Sequence, residues 1–436
     1  MILGAGSGPL DSDAMDRVDV AIVGAGHAGL AASHELAVRG IDHVVLERGR
    51  VAQTWRDRWD SFCLVTPNWT VQLPGGAYDG DDPDGYLPRD GIVAHLERYA
   101  SSFSAPIREQ SAVLAIDRTD SGPFRLQTAG GDLLADRIVL ATGAYQRSYR
   151  PAAAADLPAD LPRIDVNDYR NPAGLPPGDI LIIGSGQSGC QIAEELHEAG
   201  RRVVLSCGRA PWAPRRLGGH DIVWWLVECG FLDAPLSSLP DLGARLFANI
   251  LSSGHDGGHD LHLRTLQAMG VTLVGRIRGV EGKAALFADD LESTIEWSDG
   301  RYRQLMELFQ KLTSERGLAP LDLPEPARFD VPSLDRVSLR GFGAVVFAGG
   351  FRPGYREWLP WQDAFDEYGF PIQSDGASTI VPGLYFVGVH FLRKRKSALF
   401  YGVGEDAAIV AAALADDLHV TAALGRRHSA RAAAPR

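Results

Sequence analysis

Two copies of one glycine motif, beginning at residues 24 and 184 and so 160 residues apart, constrain this chain of 436 residues more than any other feature. The copies read Gly24-Ala25-Gly26-His27-Ala28-Gly29 and Gly184-Ser185-Gly186-Gln187-Ser188-Gly189. Each follows a strand-like apolar run and precedes a helical stretch and a second apolar strand. That order is typical of a dinucleotide-binding βαβ unit. The sequence therefore predicts an α/β fold with two Rossmann-like dinucleotide-binding domains.

The three glycines of each copy have separate tasks in the predicted turn. The first makes the tight bend, the second lets the backbone approach a pyrophosphate, and the third lets the helix pack close to the strand. The helix N-terminus then offers free N–H groups and about half a positive elementary charge to the phosphates. We therefore expect both motifs, including His27, Ala28, Gln187 and Ser188, to bind cofactor.

The residues that end the second strand of each unit differ. The first unit closes with Glu47-Arg48, and Glu47 lies 18 residues beyond Gly29, where a carboxylate takes the hydrogen bonds of a ribose diol. The second unit has Ser206 at that position, with Arg209 close behind. A hydroxyl and a guanidinium suit a 2′-phosphate, which a carboxylate would repel. We therefore interpret the first site as an FAD site and the second as an NADPH site.

Further motifs follow in a recognisable order. An apolar strand ends in Ala141-Thr142-Gly143, and a related run occupies residues 344–350. Residues 383–388 end in Gly388, and residues 402–406, which contain Gly404, open an Ala-rich stretch. In this order the chain resembles the flavin-containing monooxygenase-like flavoproteins, which include YUCCA-type, N-hydroxylating and Baeyer–Villiger enzymes. The resemblance covers residues 17 to 418 and is strongest in the glycine motifs.

The resemblance implies further residues around the flavin. The family has a Gly-Gly-x-Trp element after its ribose-binding acid; here Thr54 and Trp55 match, while Ala52 and Gln53 replace the glycines. The family also has an asparagine that holds reduced flavin and its peroxide, and Asn68 is the candidate, although Thr66-Pro67-Asn68 could equally be only a turn. The remaining FAD contacts implied by the resemblance are Thr66, Val113, Ala141, Thr142, Gly143, Gly388 and Gly404.

The resemblance implies an FAD-dependent, NADPH-consuming monooxygenase. Such an enzyme inserts one oxygen atom of O2 into a small molecule through a C4a-peroxyflavin, at nitrogen, sulfur or a carbonyl carbon. One departure weakens this expectation, because Asp165 stands where the family has a histidine that helps to manage NADP. An NAD(P)H:flavin oxidoreductase or oxidase without oxygenation stays open, as does a flavin-binding protein without catalysis.

Composition excludes several other classes of protein. The net charge of −12 argues against a nucleic-acid partner, and no apolar stretch is long enough to span a membrane. The four cysteines are widely separated, which excludes a thioredoxin- or glutathione-reductase type of dithiol centre. His255, His259 and His262 are close in sequence, but loop histidines are commoner than metal sites, and we predict no metal. These features favour a cytoplasmic enzyme, and a homodimer stays open.

Composition also suggests the domain boundaries. We expect a flexible leader over residues 1–16 and an FAD-binding domain made of residues 17–150 and 336–418. An NADPH-binding domain with a helical insertion should occupy residues 163–335, after an Ala/Pro-rich linker. The tail over residues 419–436 is predicted to be disordered.

Overall fold

The computed structural model describes residues 16–118, 122–247, 249–329 and 334–432. Most of the predicted leader, residues 1–15, lies outside the described residues, and Asp16 already begins the first strand. The α-helices in the described ranges are α1 His27–Val38, α2 Gln53–Arg56, α3 Arg89–Ser102, α4 Gln187–Glu198, α5 Ile222–Glu228, α6 Leu263–Met269, α7 Leu291–Glu315 and α8 Val403–Ala432.

The strands alternate with these helices along the chain. They are β1 Asp16–Val23, β2 His43–Leu46, β3 Gln72–Leu73, β4 Gly76–Ala77, β5 Ile107–Arg108, β6 Val113–Arg118, β7 Phe124–Thr128, β8 Gly131–Leu140, β9 Arg147–Ser148, β10 Arg163–Asp165, β11 Asp179–Ile183, β12 Val203–Ser206, β13 Arg216–Leu217, β14 His220–Asp221, β15 Thr272–Val274, β16 Ile277–Glu281, β17 Ala284–Phe287, β18 Arg336–Ser338, β19 Phe342–Phe347, β20 Phe351–Arg352, β21 Gln373–Ser374, β22 Ala377–Ser378 and β23 Leu384–Phe386.

The first domain is built on a sheet in the order β21-β22-β23-β8-β1-β2-β5, with the β6–β7 hairpin attached to β8. The strands β23, β8, β1, β2 and β5 are parallel. Helices α1, α3 and α8 cover one face, and aromatic side chains from residues 355–370 pack on the other. Burial on both faces explains the nearly continuous apolar sequence of β1 and β8.

The second domain contains the parallel sheet β10-β19-β11-β12-β15. Strand β19 lies between β10 and β11, and β18 pairs with β17 in a small antiparallel sheet beside it. The predicted return to the first domain at residue 336 is therefore wrong, since the second domain continues through Phe347. Residues 344–350 carry the same strand-and-glycine pattern as residues 138–143, and only the non-local pairing assigns them to the second sheet.

Helix α8 continues to Ala432, whereas the sequence predicted disorder from residue 419. The described part of the predicted tail is therefore helical. Its Ala, Leu and Arg content explains this, because these residues have the highest intrinsic helix propensities. Residues 433–436 lie outside the described range.

An insertion between β12 and α6, residues 207–262, joins the two domains through a buried ion pair. The Arg215 side chain is 2% exposed, and its Nε donates to Asp221 Oδ2 at 2.8 Å. Arg215 Nη1 donates to the Val65 carbonyl at 2.8 Å, and the Tyr86 hydroxyl donates to Asp221 Oδ2 at 2.6 Å. Asp221 also caps α5 by accepting from the Val223 amide. Arg215 and Asp221 therefore fix the insertion to a loop of the first domain.

We expect Arg215→Ala to lower the free energy of unfolding by about 3–5 kcal/mol, because Asp221 would be left as an uncompensated buried charge. Urea titration followed by tryptophan fluorescence measures the change. Arg17→Ala is the matched control, since its ion pair with Asp136 is exposed and should change the stability by less than about 1 kcal/mol. Equal losses in the two variants would show that the buried pair does not hold the insertion.

Candidate functional site

The first glycine turn has the geometry that a dinucleotide requires. Gly24 has φ +107°, and a Cβ there would lie 2.9 Å from the Ala141 carbonyl oxygen. A Cβ on Gly29 would overlap the Gly24 carbonyl oxygen, so α1 can begin against the turn only without a side chain. A Cβ on Gly26, in contrast, would meet nothing within 4 Å. The middle glycine therefore faces open space at the N-terminus of α1, where a phosphate group would fit.

The second turn repeats this construction in the other domain. Gly184 has φ +111° and lies against the Ala348 carbonyl, as Gly24 lies against Ala141. A Cβ on Gly189 would overlap the Gly184 carbonyl oxygen. Gly186 is the extended residue immediately before α4, with φ −72° and ψ −174°. Both predicted fingerprints thus have the same backbone form.

Glu47 lies at the end of β2, beside the first turn, and is buried. Its Oε2 accepts from the Ala25 amide at 2.8 Å, and its Oε1 accepts from the Gly49 amide at 3.0 Å. The carboxylate is therefore held next to the glycine motif with lone pairs to spare, since each oxygen can accept more than one hydrogen bond. Arg48 is exposed.

At the corresponding end of β12, the Ser206 hydroxyl already has hydrogen-bond partners inside the protein. Ser206 is buried, and its hydroxyl donates to the Gly275 carbonyl and accepts from the Ile277 amide, both at 3.0 Å. Its hydrogen bonds are thus internal. Arg209 is exposed, and its guanidinium lies 5.8 Å from the centre of the Trp297 ring. Arg301, one helical turn after Trp297 on α7, lies 5.0 Å from the centre of the same ring.

The N-terminus of α4 is also a contact point for the insertion. The Gln187 side chain accepts from the Ser252 amide at 3.1 Å and donates to the Ser252 carbonyl. Ser188 is the next residue of the helix and is partly buried. Further along α4, the His259 imidazole lies 2.7 Å from Glu194, and this hydrogen bond raises the pKa of His259. The insertion therefore touches the second turn as well as the first domain.

An aromatic cluster covers the first turn on the side of α2. The His27 ring lies 4.6 Å from that of Phe400, and Trp55 stacks on Phe400 at 5.4 Å. Burial lowers the pKa of His27 to about 4, so the imidazole is neutral near pH 7. Gly388 brings the loop after β23 into this cluster, because a Cβ there would overlap Ala28.

The Asn68 side chain, the candidate flavin contact, forms hydrogen bonds with two backbone groups. Asn68 is 3% exposed; its Nδ2 donates to the Asp82 carbonyl at 2.9 Å, and its Oδ1 accepts from the Leu87 amide at 2.6 Å. The amide thus ties the loop over residues 82–87 to a 3₁₀ turn that begins at Asn68. Thr66 accepts from the Thr70 hydroxyl within the same turn.

The remaining predicted flavin residues occupy several positions of the first domain. Ala141 is buried against the glycine turn, Gly143 has φ +68°, and Val113 begins β6. Thr54 and Thr142 are exposed, and a Cβ on Gly404 would lie 3.2 Å from Pro74.

Beside Ala141-Thr142-Gly143, Tyr145 lines a recess, the Tyr145 cleft, whose side chains the sequence analysis missed. Burial raises the pKa of Tyr145, although 48% of this residue is accessible, as expected of a side chain that lines a recess inside the protein. Tyr145 forms a hydrogen bond with Asn249 of the insertion, and its ring lies 6.2 Å from that of His390. Arg58 acts electrostatically on Tyr145. Proximity to two recognised motifs was the available signal, since Tyr145 is two residues beyond Gly143 and His390 two beyond Gly388.

The four cysteines are free thiols. Burial raises the pKa of Cys63 to about 11 and that of Cys207 to about 12, and it also raises the pKa of Cys190. These thiols are protonated at neutral pH and lack the thiolate character that disulfide exchange needs.

The three insertion histidines have separate partners. His259 lies beside Glu194, as described above, and His255 lies 3.9 Å from Glu198. The ring of His262 lies 4.4 Å from that of Trp212 in a tilted arrangement, and its side chain caps α6. Within the described ranges, no group of three or more metal-ligating side chains could hold an ion.

Asp165, which replaces the family histidine, forms a two-bond ion pair with Arg150 at 2.9 Å. Its negative charge is thus balanced within β10 and the preceding linker. Among the described residues, no helix combines the length and apolar character that are needed to cross a membrane.

Known proteins share this sequence and this arrangement. The family model described as pyridine nucleotide-disulphide oxidoreductase matches residues 21–224. An oxidoreductase CzcO-like protein of Geobacillus kaustophilus is 31% identical over 392 residues, which cover 89% of this chain and 96% of that protein. The chain belongs to the CzcO-like oxidoreductases.

More distant similarities agree with this membership. The indole-3-pyruvate monooxygenase YUCCA4 of Oryza sativa subsp. japonica is 25% identical over 448 residues, covering 93% of this chain and 89% of that protein. A flavin-containing monooxygenase from Stenotrophomonas maltophilia has the same fold, with a TM-score of 0.63 at 19% identity over 92% of this chain and 99% of that one. The chain is thus a flavin-dependent oxidoreductase with two Rossmann-like domains, and the expected resemblance to flavin-containing monooxygenases is confirmed.

We expect Gly29→Ala to abolish flavin binding, because its methyl group would displace the Gly24 carbonyl from the turn. Gly189→Ala should retain flavin but lose reduction by a pyridine nucleotide. Flavin absorbance of the purified variants and their anaerobic reduction measure the two effects. Gly300→Ala is the control, since it lies inside α7 with open space around it and should be stabilised by about 1 kcal/mol. Stoichiometric flavin in Gly29→Ala would contradict the assignment of the first turn.

Proposed function

We propose that this protein is an FAD-dependent, NADPH-consuming monooxygenase that transfers one oxygen atom of O2 to a small-molecule substrate. The observation that carries the proposal is the pair of equivalently built glycine turns, one in each domain. An enzyme that only needed one dinucleotide would have no use for the second turn.

The residues of the first turn fit FAD. The open space beside Gly26 would hold the pyrophosphate, and Glu47 would accept hydrogen bonds from the ribose hydroxyls with the lone pairs that Ala25 and Gly49 leave free. The neutral His27 and the stacked Trp55 and Phe400 would exclude water from this side of the cofactor. FAD, when bound, supplies the two-electron chemistry that links NADPH oxidation to the reduction of O2.

The second turn supports NADPH over NADH. The exposed Arg209, three residues beyond the end of β12, would contact the 2′-phosphate of NADPH, and both Arg209 and Arg301 approach the Trp297 ring. Two guanidinium groups around an indole offer charge to a phosphate and a flat surface to an adenine. The sequence suggested the Ser206 hydroxyl as a phosphate contact, but this hydroxyl is already hydrogen-bonded to Gly275 and Ile277. The selectivity for NADPH would therefore depend on the two arginines.

Oxygenation is supported by the relatives. A YUCCA4 protein is named an indole-3-pyruvate monooxygenase, and a protein of the same fold is named a flavin-containing monooxygenase. In this chain, the insertion would close the cleft over the substrate, because its Asn249 meets Tyr145 of the first domain. A closed, water-poor cleft is what oxygen transfer needs in order to compete with loss of hydrogen peroxide.

An NADPH:flavin oxidoreductase or oxidase is the second candidate, and the hydrogen bonds of Asn68 favour it. The amide is held by Asp82 and Leu87, which leaves one N–H and one lone pair for a flavin contact. Asp165 also replaces the family histidine. If these positions cannot protect reduced flavin from water, the products of turnover are NADP⁺ and hydrogen peroxide.

Anaerobic stopped-flow reduction by NADPH and NADH, followed by mixing with 18O2 and candidate substrates, distinguishes the two. We expect rapid reduction by NADPH and one 18O atom in the organic product. Hydrogen peroxide in stoichiometric yield with every substrate tested would favour the oxidase. No reduction by either nucleotide would overturn both candidates.

We expect Arg209→Ala to raise the KM for NADPH about ten- to a hundredfold, because one charged hydrogen bond to phosphate contributes about 1.5–3 kcal/mol. The KM for NADH should change little, since NADH lacks the 2′-phosphate. Steady-state kinetics with both nucleotides provide the measurement. Arg303→Ala, on the same helix but paired with Glu325, is the control and should leave both values unchanged. A parallel rise for both nucleotides would argue against a phosphate contact.

A further inference from the structure

A continuous series of hydrogen-bonded side chains connects the two domains through the insertion. This polar series consists of Tyr86, Asp221, Arg215 and Ser252. The Tyr86 hydroxyl donates to Asp221 Oδ2 at 2.6 Å, Asp221 pairs with Arg215, and Arg215 Nη1 donates to the Ser252 hydroxyl. Arg215, Asp221 and Ser252 are 2%, 7% and 5% exposed. Hydrogen bonds in such a water-poor setting are stronger than exposed ones and strengthen one another.

Tyr86, the first-domain end of the polar series, is held in place by Asn68. The backbone N–H of Asn68 donates to the Gly85 carbonyl at 2.9 Å, and Asn68 Oδ1 accepts from the Leu87 amide at 2.6 Å. Two hydrogen bonds to one residue therefore flank Tyr86 along the chain. Burial and the hydrogen bond to Asp221 raise the pKa of Tyr86 to about 12, so its hydroxyl keeps the proton that it donates.

Ser252, the other end of the polar series, meets the second glycine turn. The Ser252 amide donates to Gln187 Oε1 at 3.1 Å, and the Ser252 carbonyl accepts from Gln187 Nε2. Gln187 is the first residue of α4 and follows the extended Gly186. A phosphate would bind at this helix N-terminus. The first turn of α4 is therefore attached to the insertion at the point where the nucleotide would bind.

The backbone that follows Ser252 contacts both domains as well. A Cβ on Gly254 would lie 2.0 Å from the Leu64 carbonyl oxygen, so this segment approaches the first domain as closely as a backbone can. On its other side, the His259 imidazole lies 2.7 Å from Glu194 of α4. The segment that carries Ser252 therefore lies between the first domain and α4.

We propose that the polar series positions Gln187 for nucleotide binding, so that the affinity of the second turn for NADP(H) depends on the Tyr86 hydroxyl in the first domain. This assignment rests on the proposed function, because it concerns the same nucleotide site. The four members of the series are positioning residues, since none of them belongs to either glycine turn. A turn that is already held in place loses less conformational freedom on binding and so binds more tightly. By linkage, the nucleotide would in turn stabilise the loop that Asn68 holds.

Calorimetric titration of the flavin-loaded protein with NADP⁺ and NAD⁺ tests the proposal through binding alone. Tyr86→Phe removes one hydroxyl, and Ser252→Ala removes an acceptor of Arg215, but both leave the ion pair between Arg215 and Asp221. We expect each variant to bind both nucleotides at least about fivefold more weakly, because the second turn would hold the pyrophosphate that they share. The flavin content should not change.

Two matched variants control for general effects of these substitutions. Tyr385→Phe also removes a hydroxyl that donates to a carboxylate, that of Asp417 at 3.1 Å, but this tyrosine lies on β23 in the first-domain sheet. Ser253→Ala changes the neighbouring buried serine, whose hydroxyl accepts from the His255 amide within its own loop. Both should bind the nucleotides as tightly as the wild-type protein does.

A double-mutant cycle measures whether the effect depends on Gln187. Gln187→Ala removes the side chain that Ser252 holds, so Tyr86→Phe should cause no further loss of nucleotide affinity in that background. Additive losses would overturn the proposal, because Tyr86 would then act on the nucleotide by another route.

Unchanged nucleotide affinity in both Tyr86→Phe and Ser252→Ala would also overturn the proposal, while retaining the nucleotide site. Losses of the same size in Tyr385→Phe would overturn it too, because they would reflect general destabilisation. Absence of NADP⁺ and NAD⁺ binding by the wild-type protein would instead reject the nucleotide site, and with it both this inference and the proposed function.

Discussion

The structure depends on a steric constraint that occurs once in each domain, where a helix begins directly against the carbonyl of the first glycine. A side chain on Gly29 or Gly189 would overlap that carbonyl, so the helix could not approach its strand. Close approach aligns the helix N-terminus with the carboxyl end of the sheet, where ligands of open α/β sheets bind. The positions of Glu47, Arg209 and the Tyr145 cleft follow from this alignment.

The insertion gives these two similar domains a joint site. It reaches the first domain through the buried Arg215–Asp221 pair and through Asp233, and it reaches the second turn through Gln187. Its backbone also pairs with the loop after β23, since the Leu236 amide donates to the Arg393 carbonyl at 2.9 Å. Each contact uses polar groups that are satisfied by their partners, which helps to order a long connection whose only regular sheet among the described residues is the β13–β14 hairpin.

The sequence was sufficient for the features that depend on local chemistry. Both glycine turns, their strands and helices, and the position of Glu47 beside the first turn are encoded within βαβ units of about 30 residues. The boundary near residue 336 was not predictable in this way, because the run at 344–350 resembles the motif at 138–143 and only strand pairing tells them apart. Helix α8 beyond residue 418 was missed because its composition was interpreted as that of a disordered tail, despite its high helix propensity.

In the candidate site, too, local features could be predicted from the sequence and non-local contacts could not. Ser206 and Asn68 were chosen by position, but non-local backbone partners already occupy much of their hydrogen-bonding capacity. Tyr145 and His390 are 245 residues apart in sequence, and no local pattern shows that their rings lie 6.2 Å apart. Such contacts are properties of the folded chain.

The insertion also has a mechanical consequence. If only the two linkers joined the domains, one domain could rotate relative to the other. The insertion is a third attachment, because it is bonded at one end to Val65 and Lys394 and at the other, through Ser252, to Gln187. The distance between the two glycine turns is therefore restrained by the insertion as well as by the two linkers.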